Sequence, residues 1–192
     1  MTYFVWRTRP TPGYCGLTGL KNVERVAELR NGVSREEGFP PDAALHMDPA
    51  HKKDTKLGDQ IYNVDGLYVV SVKLRTMIDC AKPANLEWLP VTIFDHKGNV
   101  ASGDHAIANP VDVIDCIDQK RSSLSWNPVD KDKISDCARL VLLEETLPAQ
   151  LVLFRMKHLA GVVLVREDLA KALKAGGLVG TKIVELEEFT GS

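Results

Sequence analysis

Twice in this chain an apolar run passes straight into an amphipathic helix and then, after a short break, into a second apolar run. The first unit is Tyr68-Val69-Val70, then a helix with Leu74, Met77, Ile78 and Ala81 on one stripe, then a strand over residues 89–94. The second is Val163-Leu164-Val165, then a helix over 167–175 with Leu169, Ala172 and Leu173 on one side, then a strand over 182–186. They read as an internal pseudo-repeat, or as one common supersecondary unit met twice by chance. Further strand candidates lie at residues 2–7, 111–117, 138–143 and 151–154. Strands and helices do not alternate regularly along the chain, so the pattern predicts an α+β fold: a mixed, mainly antiparallel sheet with two or three helices.

Local signals sharpen this picture. Ser71 is a natural N-cap, because its hydroxyl can accept from an orphan helix N–H, and Pro83 ends the helix that follows. Lys97-Gly98-Asn99 supplies a turn, predicting a hairpin from residues 86–94 into 105–108. Gly176-Gly177 closes the last helix; phosphate cradles stand before a helix, so this pair is a C-cap. In the N-terminal part, residues 8–19 read as a loop. Val23, Val26, Ala27 and Arg30 predict a helix over 20–30, stopped by Asn31-Gly32. Residues 40–59, with Lys52, Lys53 and Lys56 close together, read as a polar surface excursion.

Size and charge then exclude whole classes. The 192 residues predict one domain over 1–192, with a variable N-terminal part (1–60) and a core over 65–188. With 24 Lys+Arg against 26 Asp+Glu and a net charge of -2, the chain lacks the basic surplus of a direct nucleic-acid binder. No apolar run approaches the roughly 20 residues that a bilayer crossing needs. The opening Met1-Thr2-Tyr3-Phe4-Val5-Trp6-Arg7 reads as a strand and not as a secretion leader, so a cytoplasmic location is expected, with no membrane partner. Cys15, Cys80, Cys116 and Cys137 form no Cys-x-x-Cys pair and read as free thiols, mostly buried.

Chemistry-bearing motifs are scarce. There is no phosphate loop, dinucleotide fingerprint, His-Glu-x-x-His or Gly-x-Ser-x-Gly elbow. Asp95-His96 and Asp104-His105 flank the predicted hairpin turn. If the strands pair, the imidazoles could approach each other, which makes a small metal-dependent hydrolase the alternative reading; a polar hairpin end is the plainer one. His46 and His51 are expected to face solvent, and His158 has no carboxylate nearby in sequence. Cys80 lies at a helix C-terminus, where the dipole disfavours a thiolate, and Cys116 and Cys137 sit beside apolar runs. Acidic residues stand out: Asp112, Asp115 and Asp118 lie in a stretch without Lys or Arg, followed by Glu144-Glu145. They are either solvated strand ends or a surface that steers a basic partner.

Three blocks resemble one immunity-protein family of bacterial polymorphic toxin systems, immunity family eleven. The first runs from Tyr68-Val69-Val70-Ser71 to Glu87-Trp88-Leu89-Pro90-Val91. The second spans His105-Ala106-Ile107-Ala108-Asn109-Pro110, Val113-Ile114-Asp115-Cys116-Ile117-Asp118 and Ser122-Ser123. The third joins Leu140-Val141-Leu142, Leu153-Phe154-Arg155, Val163-Leu164-Val165 and Gly177-Leu178-Val179-Gly180-Thr181. Together they cover roughly residues 65–188. Before the last helix the family usually has a serine-like cap where this chain has Arg166, so that helix must rely on Glu167 and Asp168.

The resemblance implies a non-enzymatic protein that neutralises a cognate toxin, commonly an enzyme such as a nuclease delivered between competing bacteria by contact or type VI secretion and encoded by an adjacent gene. It implies no catalytic residue, no cofactor and no metal. Toxin contacts are individual to each pair, so the candidates come from the residues themselves. Hot spots favour Trp, Tyr and Arg. Trp126, read as loop-borne, leads Trp88, Tyr14 and Tyr62, with Asp112, Asp115, Asp118, Glu144 and Glu145 as the charged surround. A homo-oligomeric scaffold is a third reading.

Overall fold

The structure, a computed structural model, describes residues 2–147 and 149–191. Among them lie twelve strands and three helices. In chain order these are β1 (Tyr3–Thr8), α1 (Ala27–Arg30), β2 (Ala44–His46), β3 (Gln60–Ile61), β4 (Tyr68–Val70), α2 (Val72–Cys80), β5 (Leu86–Phe94) and β6 (Val100–Pro110). There follow β7 (Val113–Ile114), β8 (Ser123–Trp126), β9 (Ile134–Arg139), β10 (Leu153–Met156), β11 (Leu159–Arg166), α3 (Glu167–Ala175) and β12 (Thr181–Val184). One sheet has the order β12-β1-β11-β10-β7, a second β2-β5-β6-β4-β3, and β8-β9 form a separate ribbon. Most pairings are antiparallel; β2–β5 and β7–β10 are parallel. This is the expected α+β fold.

The pseudo-repeat is a repeat of topology. β4 and β5 both pair antiparallel with β6, so they run parallel to each other with β6 between them. β11 and β12 flank β1 in the same way. Each unit is therefore a strand–helix–strand crossover split by one intruding strand, taken from later in the chain in the first unit and from earlier in the second. The two helices contact each other and the intruding strands, α2 with β6 and α3 with β1.

Three apolar clusters explain why the strands read as continuous apolar runs: both faces of each sheet are covered. The central cluster joins the helices to both sheets through Trp6, Tyr68, Val70, Leu74, Ile78, Val163, Val165, Leu169 and Leu173. Alternate residues serve the outer faces. Tyr3, Val5, Phe154 and Leu164 pack with Cys116, Cys137 and Phe189. Val69, Leu89, Ile93 and Ile107 pack with Leu17, Leu29 and Leu45.

Caps behave as the residue types require. The Ser71 hydroxyl accepts from Leu74 N–H at 3.3 Å and donates to Asp59 at 3.0 Å. The second oxygen of Asp59 accepts from Val179 N–H at 2.9 Å, tying one repeat to the other. Arg166 gives α3 no side-chain cap, as expected; it holds Asp168 bidentately at 2.8 Å, which pulls that carboxyl down to about 2.

Four expectations are corrected. Only Ala27–Arg30 of the helix predicted over 20–30 is helical. Lys21 pairs with Ala44 as an isolated bridge, and Asn22 and Arg25 adopt positive φ, so the apolar spacing reflects burial of Val23 and Val26 against the outer core. Residues 40–59 are only in part an excursion: Ala43, Leu45 and Met47 are buried and β2 extends the second sheet, whereas Lys52, Lys53 and Lys56 stay exposed. The strands expected over 111–117 and 138–143 reduce to β7 and to β9, which ends at Arg139, with one bridge between Ile117 and Leu142. Finally, Trp126 is not loop-borne: it closes β8, a strand the sequence reading left out.

Candidate partner-binding surface

The β8–β9 ribbon and its connecting loop carry Val129, the most exposed of the large apolar side chains among the described residues, together with a partly exposed Trp126. Trp126 is 38% exposed and Val129, in the connecting loop, 93%. An exposed hydrophobic loop is normally mobile, but this one is cross-braced. Asn127 Oδ1 accepts from the N–H groups of Val129 and Asp130, each at 2.9 Å, an Asx turn. Lys133 N–H donates to the Asp130 carbonyl at 3.0 Å, and Lys133 Nζ lies 3.0 Å from the Asp130 carboxylate.

From the β10–β11 turn, His158 buttresses the loop. Its φ is 68°, its carbonyl accepts from Ile134 N–H at 2.8 Å, and its Nδ1 donates to the Asp132 carbonyl at 2.7 Å. A carbonyl only accepts, so Nδ1 carries the proton. The Trp126 ring meets the His158 ring edge to face, with centroids 5.3 Å apart. Below the ribbon opens a cleft of about 650 Å³, lined by Arg30, Asn31, Asn127, Asp130, His158 and Gly161 among others. Sequence reasoning found Trp126 but missed Val129 and gave His158 no role. The Asn127-Pro128 pair was the available turn signal.

The acidic candidates divide into two groups. Asp118, Glu144 and Glu145 lie near one another, brought together by the Ile117–Leu142 bridge and by Arg121, on which all three act. Asp118 is half committed to its own turn: its side chain accepts from Arg121 Nε and from the N–H groups of Lys120 and Arg121, and these bonds hold it below the usual carboxylate range. Asp112 accepts from Asn85 Nδ2 at 2.9 Å, and Asp115 pairs with Lys157 at 3.0 Å. Of the other aromatic candidates, Trp88 is half-buried, donates to Asp79 at 2.9 Å and lies under Arg75. Tyr14 and Tyr62 face a separate cleft of about 370 Å³.

The structure does not assemble the hydrolase alternative. The β5–β6 register pairs Phe94 with Val100 and Val91 with His105, leaving Asp95 and His96 at the turn and His105 several rungs along the strand. Asp95 closes that turn, accepting from Lys97 N–H at 2.8 Å and Asn99 N–H at 2.9 Å. Neither His96 ring nitrogen has a partner among the described residues. Burial holds the His105 pKa down, with Ser102 Oγ at 2.8 Å and the Gly58 carbonyl at 3.4 Å from its ring. Among the described residues no three His, Cys, Asp or Glu side chains gather as metal ligands. The four cysteines are free; burial pushes Cys15 up to about 11 and Cys116 up to about 12, the wrong direction for nucleophiles. Cys80 is exposed.

Two buried polar groups hold the N-terminal segment onto this framework. Arg155, 2% exposed, donates to three backbone carbonyls: Pro110 at 2.9 Å, Ala160 at 2.7 Å and Leu29 at 3.0 Å. Glu87 accepts from Ser34 Oγ, from Arg35 N–H at 3.0 Å and from Asn109 Nδ2 at 2.8 Å. Burial raises the Glu87 pKa, but these donors outweigh it and leave the group below its ordinary value. A carboxyl depressed in the fold contributes stability that is complete above its unfolded pKa of about 4.3 and is lost as pH falls through the folded value. Glu87→Gln should therefore lower the urea midpoint at pH 7 and flatten the stability–pH slope below about pH 4.5. An unchanged slope would remove Glu87 from the acid response.

Among the described residues no helix is long and apolar enough to cross a membrane. The chain belongs to the Imm11 immunity protein family, whose model matches residues 10–188. The match begins at residue 10, ahead of the blocks that carried the resemblance. No curated protein matches the sequence. Family membership supports an immunity role and implies a cognate toxin as partner.

Proposed function

We propose that this protein works in the cytoplasm by binding an antibacterial toxin, an enzyme such as a nuclease, and that the β8–β9 ribbon is the centre of its interface. Family membership over residues 10–188 supports the immunity role, and the single observation that favours the ribbon is Val129 and Trp126 on a ribbon whose connecting loop is braced by Asn127, Asp130 and Lys133. A side chain already fixed in its bound geometry loses little entropy on association, so its burial converts efficiently into affinity. Asp118, Glu144 and Glu145 would form an acidic flank that speeds encounter with a basic toxin more than it tightens the complex.

The test is co-expression with the toxin encoded beside the gene. Protection and a stable complex are expected. Trp126→Ala should weaken that complex by at least about 2 kcal/mol, some thirtyfold, with only the modest fall in thermal midpoint that its lost contact with His158 brings. Wild-type affinity in that variant would move the interface elsewhere, and failure to protect against the neighbouring toxin would remove the immunity reading.

A further inference from the structure

Arg30 closes α1, and α1 is clamped from behind by the Arg155 bond to the Leu29 carbonyl. Its side chain runs out through a slot between two glycines. A Cβ on Gly66 would lie 3.4 Å from Arg30 Nε, and one on Gly161 would lie 3.2 Å from Nη2. The second distance is tighter than ordinary contact, so a side chain at Gly161 would crowd the guanidinium. Arg30 forms part of the wall between the 650 Å³ cleft under the ribbon and a smaller cleft of about 250 Å³. Among the described residues its guanidinium has no hydrogen bond and no ion pair.

The smaller cleft is lined by Arg7, Arg30, Thr8, Tyr62 and Asn63 among others, and by no Asp or Glu. The Arg7 guanidinium is turned to the C-terminal segment: Nη1 donates to the Thr190 carbonyl at 3.0 Å and the group lies over the Phe189 ring, 5.4 Å from its centroid. The buried Tyr68 hydroxyl, on the same wall, feels Arg155, Arg7 and Arg30 together. Asp65, beside Gly66 in sequence, is turned to Leu20 N–H at 2.6 Å. A guanidinium without an ion pair thus borders a small concave space with no acid in its own lining, Asp130 and Asp132 lying in the larger cleft on the other side of Arg30, and such a space focuses an attractive field on an anion.

We propose that this cleft receives a carboxylate side chain of the protein partner, with Arg30 as its bidentate donor and Arg7 adding positive potential from a longer range. The size of the cleft suits one side chain, and nucleic-acid backbones need several basic contacts in a row, which a chain of net charge -2 does not display here. The inference rests on the toxin-binding reading only for the source of the carboxylate.

The test therefore begins without a toxin. N-acetyl-aspartamide, its neutral N-acetyl-asparaginamide isostere and inorganic phosphate are titrated into the full chain while the arginine Nε–Hε resonances are followed. Saturable shifts of Arg30 and Arg7 are expected with the aspartate probe alone, at concentrations on the order of 10 mM. In Arg30→Gln the Arg7 shift should need at least about tenfold more probe, with an unchanged thermal midpoint. No saturation, an equal response to the neutral isostere, or saturation by phosphate at lower concentration would overturn the proposal. These readouts stand whether or not the immunity reading does. In a confirmed toxin complex, Arg30→Glu should lower affinity more than Arg30→Gln, and equal effects would overturn the carboxylate as the partner's group.

Discussion

Replacing Arg155 with methionine is expected to lower folding stability by about 3 kcal/mol, one of the two largest effects foreseen for single substitutions in this protein. The guanidinium satisfies the carbonyls of Pro110, Ala160 and Leu29, which belong to three segments: the end of β6, the start of β11 and α1. Methionine fills most of the volume but donates nothing, and an unsatisfied buried acceptor costs about 1–3 kcal/mol. Against this, the variant recovers the cost of burying a charge without a carboxylate, a cost visible in the Arg155 pKa, which burial pushes down to about 10. Water reaching Ala160, the partly buried acceptor, trims the loss further. The net figure is therefore smaller than the sum over three carbonyls. With a urea dependence of roughly 2 kcal/mol per M, the midpoint should fall by about 1.5 M. Arg155→Lys should lose most of the same stability, because one ammonium on a flexible stem cannot span three acceptors set in different directions. A midpoint within about 0.3 M of wild type in either variant would show that the N-terminal segment is held by its apolar contacts alone.

Arg155 also shows where sequence reading stops. It lay inside a block that carried the family resemblance, but a lone arginine in Leu153-Phe154-Arg155-Met156 gives no sign that its acceptors stand 45 and 126 positions away in the chain. What was legible was local. Ser71 as a cap, the stripe of Leu74 and Ile78, the Lys97-Gly98-Asn99 turn and the last helix all follow from interactions within a few residues, and the structure reproduces them. The misread parts are those fixed from a distance. Val23, Val26 and Ala27 have helical spacing, but the Lys21–Ala44 bridge outcompetes a helix start there. Ala43, Leu45 and Met47 look too sparse for a strand until β5 supplies the neighbour.

The candidate surface divides the same way. Trp126 stood out as a large residue next to Asn127-Pro128, a turn signal. Arg30 owes its character to Gly66 and Gly161, whose relevance only the fold reveals. Charge counting fared least well as a guide to free groups: Asp112, Asp115 and Asp118 all have partners within the chain, whereas Arg30 borders a small cleft with no acid in its lining.

Gly180→Ala should be as damaging as the loss of Arg155, and for the opposite reason: it adds an atom where the fold has no room. Gly180 has φ near 88°, a conformation that already costs an L-residue about 1–2 kcal/mol. The added Cβ would also stand 1.9 Å from the carbonyl oxygen of Gln60 and 3.0 Å from its carbonyl carbon. Neither is the end of a flexible side chain, so backbone must move. Gln60 N–H donates to Val179 at 3.0 Å, Arg9 N–H donates to Gly180 at 2.7 Å, and the Gln60 side chain holds Trp6 Nε1 at 2.8 Å and Thr8 Oγ1 at 2.6 Å. Relieving the clash therefore separates β3 of one sheet from β1 and β12 of the other. Strain and displacement together should cost about 3–5 kcal/mol. Gly98→Ala separates the two contributions, since Gly98 has φ near 83° but open space around its would-be Cβ. Its urea midpoint should fall by an amount that reports backbone strain alone, and the further fall in Gly180→Ala reports the closeness of the two sheets at this joint. Equal midpoints for the two variants would mean that the sheets part at this joint without loss.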